Sequence, residues 1–368
     1  MALRKRVKGL ANVLREWGWD SSGKRPVTVF NPTRYVARLS PGEEPVYTRF
    51  HYSRTSMTED QLAPEDACSV KKDGGILWIN VDGLRQDEVE KICTTYNIHQ
   101  LAVEDILSVG QSAKMDEIGD VVYCLLPMIY YNGGTGHIEA EQVSIVLGKG
   151  FVLSFQEDKT RDVFNPVRDR LRVEGSKLRE RDATYLCYSL IDIIVDSYFG
   201  VLEKMNERID KLEDNILLQK EKAATEKVSI LRREVMFLRR LIVPVRDLVA
   251  GFIRSENPLV DDRQNKYFKD IMDHVNQAHD YVDAHREILM NLQDVFNSQI
   301  NLRLNEVMKI FTLVAVLLAP ATVIGGIFGM NFDVIPLSHH GAGFWVAVAA
   351  MLVIPLLMLI WFKRKGWF

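Results

Sequence analysis

Near the C-terminal end of the chain an apolar run closes on Gly329-Met330-Asn331, a tripeptide that offers chemistry without charge. Backbone carbonyls released at Gly329 and the Asn331 side-chain amide are neutral oxygen donors, and hard cations favour oxygen ligands. Mg2+ gives up its waters reluctantly, so a ring of neutral dipoles can recognise the hydrated ion through its water shell. Gly329 permits the tight backbone, and Met330 can wedge the loop apart. Upstream, Asn291, Asp294, Ser298, Asn301, Asn305, Met308, Thr312, Ala315, Ala319, Thr322 and Gly326 recur at spacings of three and four. On a helix they form one narrow stripe of small or polar residues.

A small-residue stripe in a membrane helix also serves close helix packing, which accounts for Ala315, Ala319 and Gly326. It leaves Asn305, Thr312 and Thr322 unexplained in the same register. Polar groups at membrane depth face a bundle interior or a water-filled path, so the stripe predicts a pore lining. Two spans cannot surround a pore. The expectation is a homo-oligomer with the first span innermost and the second, AVAAMLVIPLLMLI, against lipid.

The elements that must position these residues follow from charge and spacing. The chain has 368 residues, 26% charged and 47% hydrophobic, yet from Ile310 to Phe362 the one permanent charge is Asp333, joined by His339 and His340. Ile310 to Phe328 and Gly343 to Phe362 are each about 20 residues, enough to cross a ~30 Å hydrocarbon core at ~1.5 Å per residue. Lys363, Arg364 and Lys365 follow the second span, Arg303 and Lys309 precede the first, and the connecting loop carries no Lys or Arg. Both termini are therefore expected in the cytoplasm, with Phe344, Trp345, Trp361 and Phe362 as interfacial anchors. The charged opening MALRKRVKGLANVLREWGWD does not resemble a cleavable leader.

No glycine lies between Gly251 and Gly325 and no proline between Pro258 and Pro320, so one helix over 264–328 is predicted, roughly 100 Å long at ~1.5 Å per residue. Its second seam, Ile271, Val275, Ala278, Val282, Leu289, Leu292 and Phe296, wants protein neighbours and is interrupted at His285. Before it, residues 1–182 read as a cytosolic α/β domain that opens with a polar region. Strands are expected in GGILWINVDG, DVVYCLLPMIYY, IEAEQVSIVL and FVLSFQED, with helices in DEVEKICTTYN and HQLAVEDILS. Asn132-Gly133-Gly134 and Gly148-Lys149-Gly150 are placed as hairpin turns. Residues 183–253 read as an antiparallel helical hairpin with stripes at Tyr198, Val201, Met205, Leu212, Ile216 and at Val228, Leu231, Val235, Leu238, Ile242. An external loop over 329–342, a second span over 343–362 and a basic tail over 363–368 complete the order.

Other function classes find little support. Cys68, Cys93, Cys124 and Cys187 lack CxxC spacing, which fits reduced thiols better than a disulfide or zinc framework. A net charge of −3 and the want of basic runs with interleaved aromatics argue against nucleic acid. No HExxH, nucleophile–base pair or GxxxxGK[ST] marks an enzyme or nucleotide site.

With these residues in view, the sequence resembles the CorA family of magnesium and cobalt transporters, whose hallmark is Gly-Met-Asn after the first of two C-terminal spans. LAVEDIL, EQVSIVL, FVLSFQE, YSLIDIIVDSYF, NEVMKIFT, FGMNF and KGWF are all similar to stretches of that family. The resemblance implies a funnel-shaped homopentamer in the inner membrane, passing Mg2+ and Co2+ passively. It implies a filter at Gly329, Met330 and Asn331 and a pore lined by Asp294, Asn305, Met308, Thr312, Thr322 and Gly326. It further implies regulatory Mg2+ held between subunits by Asp105 and Asp270, with Glu104 and Asp192 at a second, weaker site. From the residues alone, Asp105 and Asp270 read only as solvated carboxylates.

Two features depart from the family's pattern. Pro336-Leu337-Ser338 lacks the loop acid of many relatives, leaving Asp333 to attract cations. Ala315 and Ala319 are small where a hydrophobic gate needs bulk, which points to Met308 with Phe311. Two other readings stay open: a zinc transporter of the ZntB branch, suggested by His339-His340, and a membrane-anchored coiled-coil scaffold without transport.

Overall fold

The computed structural model describes residues 44–68, 74–108, 110–218, 224–260, 262–330, 335, 337 and 340–367. Among them, two compact units separate: one holds the residues up to Asn215 together with Glu226–Leu289, the other the residues around Ile216 and from Met290 onward.

The first unit is built on a seven-stranded sheet of β1 (Val46–Tyr52), β2 (Met57–Leu62), β3 (Ile76–Asp82), β4 (Lys114–Ile118), β5 (Val121–Asn132), β6 (His137–Gly148) and β7 (Phe151–Gln156). Their order is β2-β1-β3-β7-β6-β5-β4. Only β3 and β7 pair in parallel, from Leu77 opposite Phe151 to Asp82 opposite Gln156. β3, β5, β7 and the second half of β6 are mostly apolar runs because both their faces are covered. The edge strands MTEDQL and KMDEI are charged, which blunts edge-to-edge pairing. At the β6–β7 turn Gly150 takes φ +80° and the Phe151 ring packs on Gly148, leaving no room for a side chain.

Helices α1 (Gln86–Thr95) and α2 (Gln100–Leu107) cover one face, where Val89, Ile92, Ala102 and Ile106 pack into a core with Ile79, Val81, Tyr123, Leu125 and Phe155. The opposite face holds Phe50 stacked on Trp78 at 4.6 Å and Phe164 edge-on to Trp78 at 6.0 Å. There follow α3 (Asn165–Arg172), the short α4 (Lys177–Glu180), α5 (Ala183–Leu217) and α6 (Ala224–Arg254). Tyr198 of α5 donates from Oη to the Pro127 carbonyl of β5 at 2.6 Å, tying α5 to that face. Both expected stripes of α5 and α6 are buried throughout.

Three strands escaped the sequence reading. β1 and β2 lie in what was expected to be a polar opening region, and β4 was not foreseen. Charge hid two of them, since an edge strand carries its polar residues outward. A further surprise is α5, one of three helices among the described residues long and apolar enough to cross a membrane; 61% of its apolar window is buried inside the fold, against 6% and 11% for the two C-terminal helices. Its hydrophobicity serves a core.

α7 runs unbroken over Asn265–Phe328, one residue later than expected, and α8 spans Gly343–Arg364, two residues beyond the expected end. Up to Leu289, the seam Ile271, Val275, Ala278, Val282 and Leu289 is buried, and so is His285 within it. No glycine or proline interrupts it before Pro320, and Pro320, Gly325 and Gly326 are themselves carried inside the helix.

Candidate ion path and cation-binding clusters

Within the second unit, every residue of the polar stripe on α7 is exposed: Asn291, Asp294, Ser298, Asn301, Asn305, Met308, Thr312, Ala315, Ala319, Thr322 and Gly326. Between Phe311 and Phe328 the covered or half-covered positions are Leu313, Val316, Leu317, Pro320, Ala321 and Ile324. At 100° per residue these lie on the opposite side of the helix from the stripe. Met351 of α8 stands near Gly325. A single chain thus leaves its stripe unpartnered while using the far side of α7 for its own packing.

The stripe's two threonine hydroxyls are not free donors. Thr312 Oγ1 donates to the Met308 carbonyl at 2.8 Å, and Thr322 Oγ1 to the Leu318 carbonyl at 3.0 Å. With each proton engaged within the helix, the threonine oxygens turn only lone pairs outward. That arrangement suits a cation and offers nothing to an anion.

Just past the end of α7 the Gly329 amide bonds to the Gly325 carbonyl at 2.9 Å, and Met330 closes a tighter turn onto Ile327 at 3.3 Å. The last carbonyls of a helix have no intrahelical partner and carry the negative end of its dipole. Gly329 and Met330 therefore stand where neutral oxygens accumulate. Asn331, Asp333 and His339 lie outside the described residues.

In the first unit, two helices bring a divalent-ligand set together that sequence reasoning only half identified. Asp192 and Asp196 lie one turn apart on α5 and His274 on α7, with one ligand atom from each within 4.8 Å of the others. His274 Nδ1 is 2.9 Å from Asp196 Oδ1. Burial, then the Asp196 carboxylate, push the Asp192 pKa up to about 6. Asp270, one turn before His274, adds its own negative field to Asp192. Asp196 and His274 were missed because each is ordinary in its own helix; the i,i+4 pairs Asp192/Asp196 and Asp270/His274 were the available signal.

Asp105 sits elsewhere, on the last turn of α2. Lys114 Nζ and Tyr123 Oη both donate to its Oδ2 at 2.6 Å, and Gln111 Nε2 to its Oδ1 at 2.9 Å. Burial disfavours the charge, but the bonds from Lys114, Tyr123 and Gln111 outweigh it and hold the pKa below the usual carboxylate range. Within one chain, Asp105 and Asp270 belong to separate clusters. Glu104 is exposed and lines a groove of about 710 Å³ between α1 and α2, together with Glu90, Thr94 and Leu101.

An α/β domain, one very long helix with an exposed polar stripe running into its apolar end, and a second apolar helix at the C-terminal end fit a membrane transport protein for cations. Known proteins agree. The family described as "CorA-like Mg2+ transporter protein" matches residues 73–364. The cobalt/magnesium transport protein CorA of Thermotoga maritima is 40% identical over 291 residues, 79% of this chain and 83% of its own length. A zinc transport protein ZntB of Yersinia pestis is 20% identical over 290 residues, 79% of this chain and 87% of its length. The complete structure of the CorA magnesium transporter from Methanocaldococcus jannaschii superposes with a TM-score of 0.74 at 23% identity, covering 88% of this chain and 99% of that one. The chain belongs to the CorA-like Mg2+ transporter family.

Proposed function

We propose that the chain forms a homopentameric channel that admits Mg2+, and also Co2+, passively across the cell's inner membrane, with both termini in the cytoplasm. One observation carries this reading: the polar stripe of α7, with Asp294 its one charge, stays exposed along its whole length, while between Phe311 and Phe328 the opposite side packs within the chain. Copies arranged around an axis enclose that stripe as a wet path. The copy number of five rests on the family resemblance. Asp294, Asn305, Met308, Thr312, Thr322 and Gly326 line the path, and Gly329, Met330 and Asn331 form the filter at the negative end of the helix dipole. Met308 with Phe311 supplies the constriction. The membrane potential drives entry, at about 2.3 kcal/mol per charge per 100 mV and so about twice that for a divalent ion.

Cytosolic Mg2+ closes the channel by sitting between subunits, where Asp105 of one meets Asp270 of the next and Glu104 and Asp192 form the second site. Carboxylates from neighbouring subunits repel unless a divalent ion lies between them, so falling Mg2+ loosens the closed assembly. The carboxylate donors fit such an ion because they are oxygens, and Asp192 and Asp196 already bring two of them together beside the His274 ring nitrogen.

The deciding experiment is Mg2+ uptake by a transport-deficient strain carrying this chain, with and without Asn331→Ala. Uptake lost with Asn331→Ala supports the filter; unchanged uptake favours an anchored scaffold. The zinc reading draws on the ZntB relative and on His339-His340, and flux of Mg2+, Co2+ and Zn2+ into proteoliposomes, with and without a pH gradient, separates it.

A further inference from the structure

Asp105 is not a bare carboxylate waiting for an ion. Lys114, the first residue of edge strand β4, places its ammonium 2.6 Å from Asp105 Oδ2 and 3.9 Å from Asp116 Oδ2. Tyr123 Oη bridges the same two carboxylates, at 2.6 Å and 3.0 Å. Asp105 itself is held in place. Gln111 Nε2 bonds to its backbone carbonyl at 3.2 Å as well as to its carboxylate, and Gln142 Nε2 bonds to that carbonyl at 3.0 Å. Lys114 has no comparable restraint: its side chain is 34% exposed, and Asp116 is 49% exposed beside it.

Mobility and charge thus divide between the partners. The carboxylate is fixed, and the counter-ion is a compact point charge on a flexible four-carbon stem. A divalent ion arriving at Asp105 repels that ammonium, which finds a second acceptor at Asp116 without leaving the neighbourhood.

We infer that Lys114 is a tethered competitor for the cation site at Asp105: it occupies the carboxylate when Mg2+ is scarce, retreats toward Asp116 when Mg2+ binds, and so sets the Mg2+ concentration to which the protein responds. This rests on the reading of Asp105 as a regulatory carboxylate. Without the competitor, the ion meets a carboxylate held only by Tyr123 and Gln111 and binds at lower concentration. Charge, not side-chain volume, is the operative property.

Two readouts on the full-length protein test this. One is the Mg2+ concentration giving half of the full rise in unfolding temperature in detergent; the other is that giving half-maximal block of flux in proteoliposomes. Lys114→Gln is expected to move both to lower Mg2+ by roughly fivefold, the factor carried by one partly exposed ion pair. Lys114→Arg, which keeps the charge, leaves both where they are in the parent protein. Asp116→Asn, which removes the retreat, moves both to higher Mg2+. Midpoints unmoved or raised in Lys114→Gln, while Asp105→Asn abolishes the response, would overturn the competitor. A response that survives Asp105→Asn would instead overturn the regulatory reading of Asp105, and the competitor with it.

Discussion

Behind Asp105 lies a buried pair of acids whose titration can be worked through. Glu141 and Glu157 are 3% and 4% exposed. The β6–β7 ladder has its last pair at Ser144 opposite Phe155; beyond it the two side chains stand in for backbone. Glu157 Oε1 accepts from the Gln142 amide at 2.8 Å, and Glu141 Oε2 accepts from the Asp158 amide at 3.2 Å. Glu141 Oε1 is buried with no hydrogen-bond partner among the described residues. Burial, then the Glu157 and Asp158 carboxylates, push the Glu141 pKa up to about 8.

In the fold this carboxyl keeps its proton up to about pH 8, whereas an unfolded glutamate releases it near 4.5. The folded state binds more protons between those values, so stability is full below about 4.5, falls as pH rises toward 8, and levels off above. The rise corresponds to at most about 5 kcal/mol at high pH, less what local rearrangement and the Asp158 amide relieve. Glu141→Gln keeps an acceptor for that amide and removes the ionisation. We expect parent and variant to melt alike at pH 5 and the variant to melt roughly 4–8 °C higher at pH 8.5. The assay is the unfolding temperature of the full-length protein in detergent from pH 5 to 9. A difference that does not grow with pH, or a variant less stable at pH 8.5, refutes the reasoning.

Other consequences follow from the two cation regions. His274→Asn should weaken Co2+ binding at the Asp192–Asp196 cluster by roughly tenfold, about one ligand's contribution. Mg2+, which prefers oxygen, should change less than about twofold, and calorimetric titration with each metal distinguishes the two. Thr322→Val keeps the volume but removes a lone-pair oxygen from the stripe. It should lower Mg2+ flux into proteoliposomes several-fold, while Ile324→Thr, on the opposite side of α7, leaves it unchanged; equal effects from both would show that α7 presents no particular face to the ion.

Periodicity made part of this molecule legible. The inner strands and the α5 and α6 stripes were readable because a covered face demands apolar residues at fixed intervals, and nothing else does. β2 and β4 were hidden by the charges that keep an edge strand from pairing, and α5 carries a membrane-like composition for a buried purpose. On the site, the stripe from Asn291 to Gly326 could be read along one helix because all its members share one element. Asp105 and Lys114 could not, because a bond between the end of α2 and the start of β4 depends on how the loop turns. Asp196 and His274 showed only as i,i+4 partners of Asp192 and Asp270, a spacing that gains its meaning once α5 and α7 pack together.

That difference in legibility reflects a difference in chemistry. A conducting path must bind an ion weakly enough to release it, so it is built from neutral oxygens repeated along one face, and repetition leaves a pattern. A sensor must hold the ion tightly enough to register its concentration, which takes carboxylates converging from separate elements, and convergence leaves none. Asp294 is the one carboxylate in the stripe. On the pentameric reading it appears five times around the axis, well before the Thr312 and Thr322 levels. There a ring of charge concentrates divalent ions next to the neutral section without placing a tight site inside it. On the proposed channel, discrimination falls to the filter residues Gly329 and Asn331, and supply to Asp294 and Asp333.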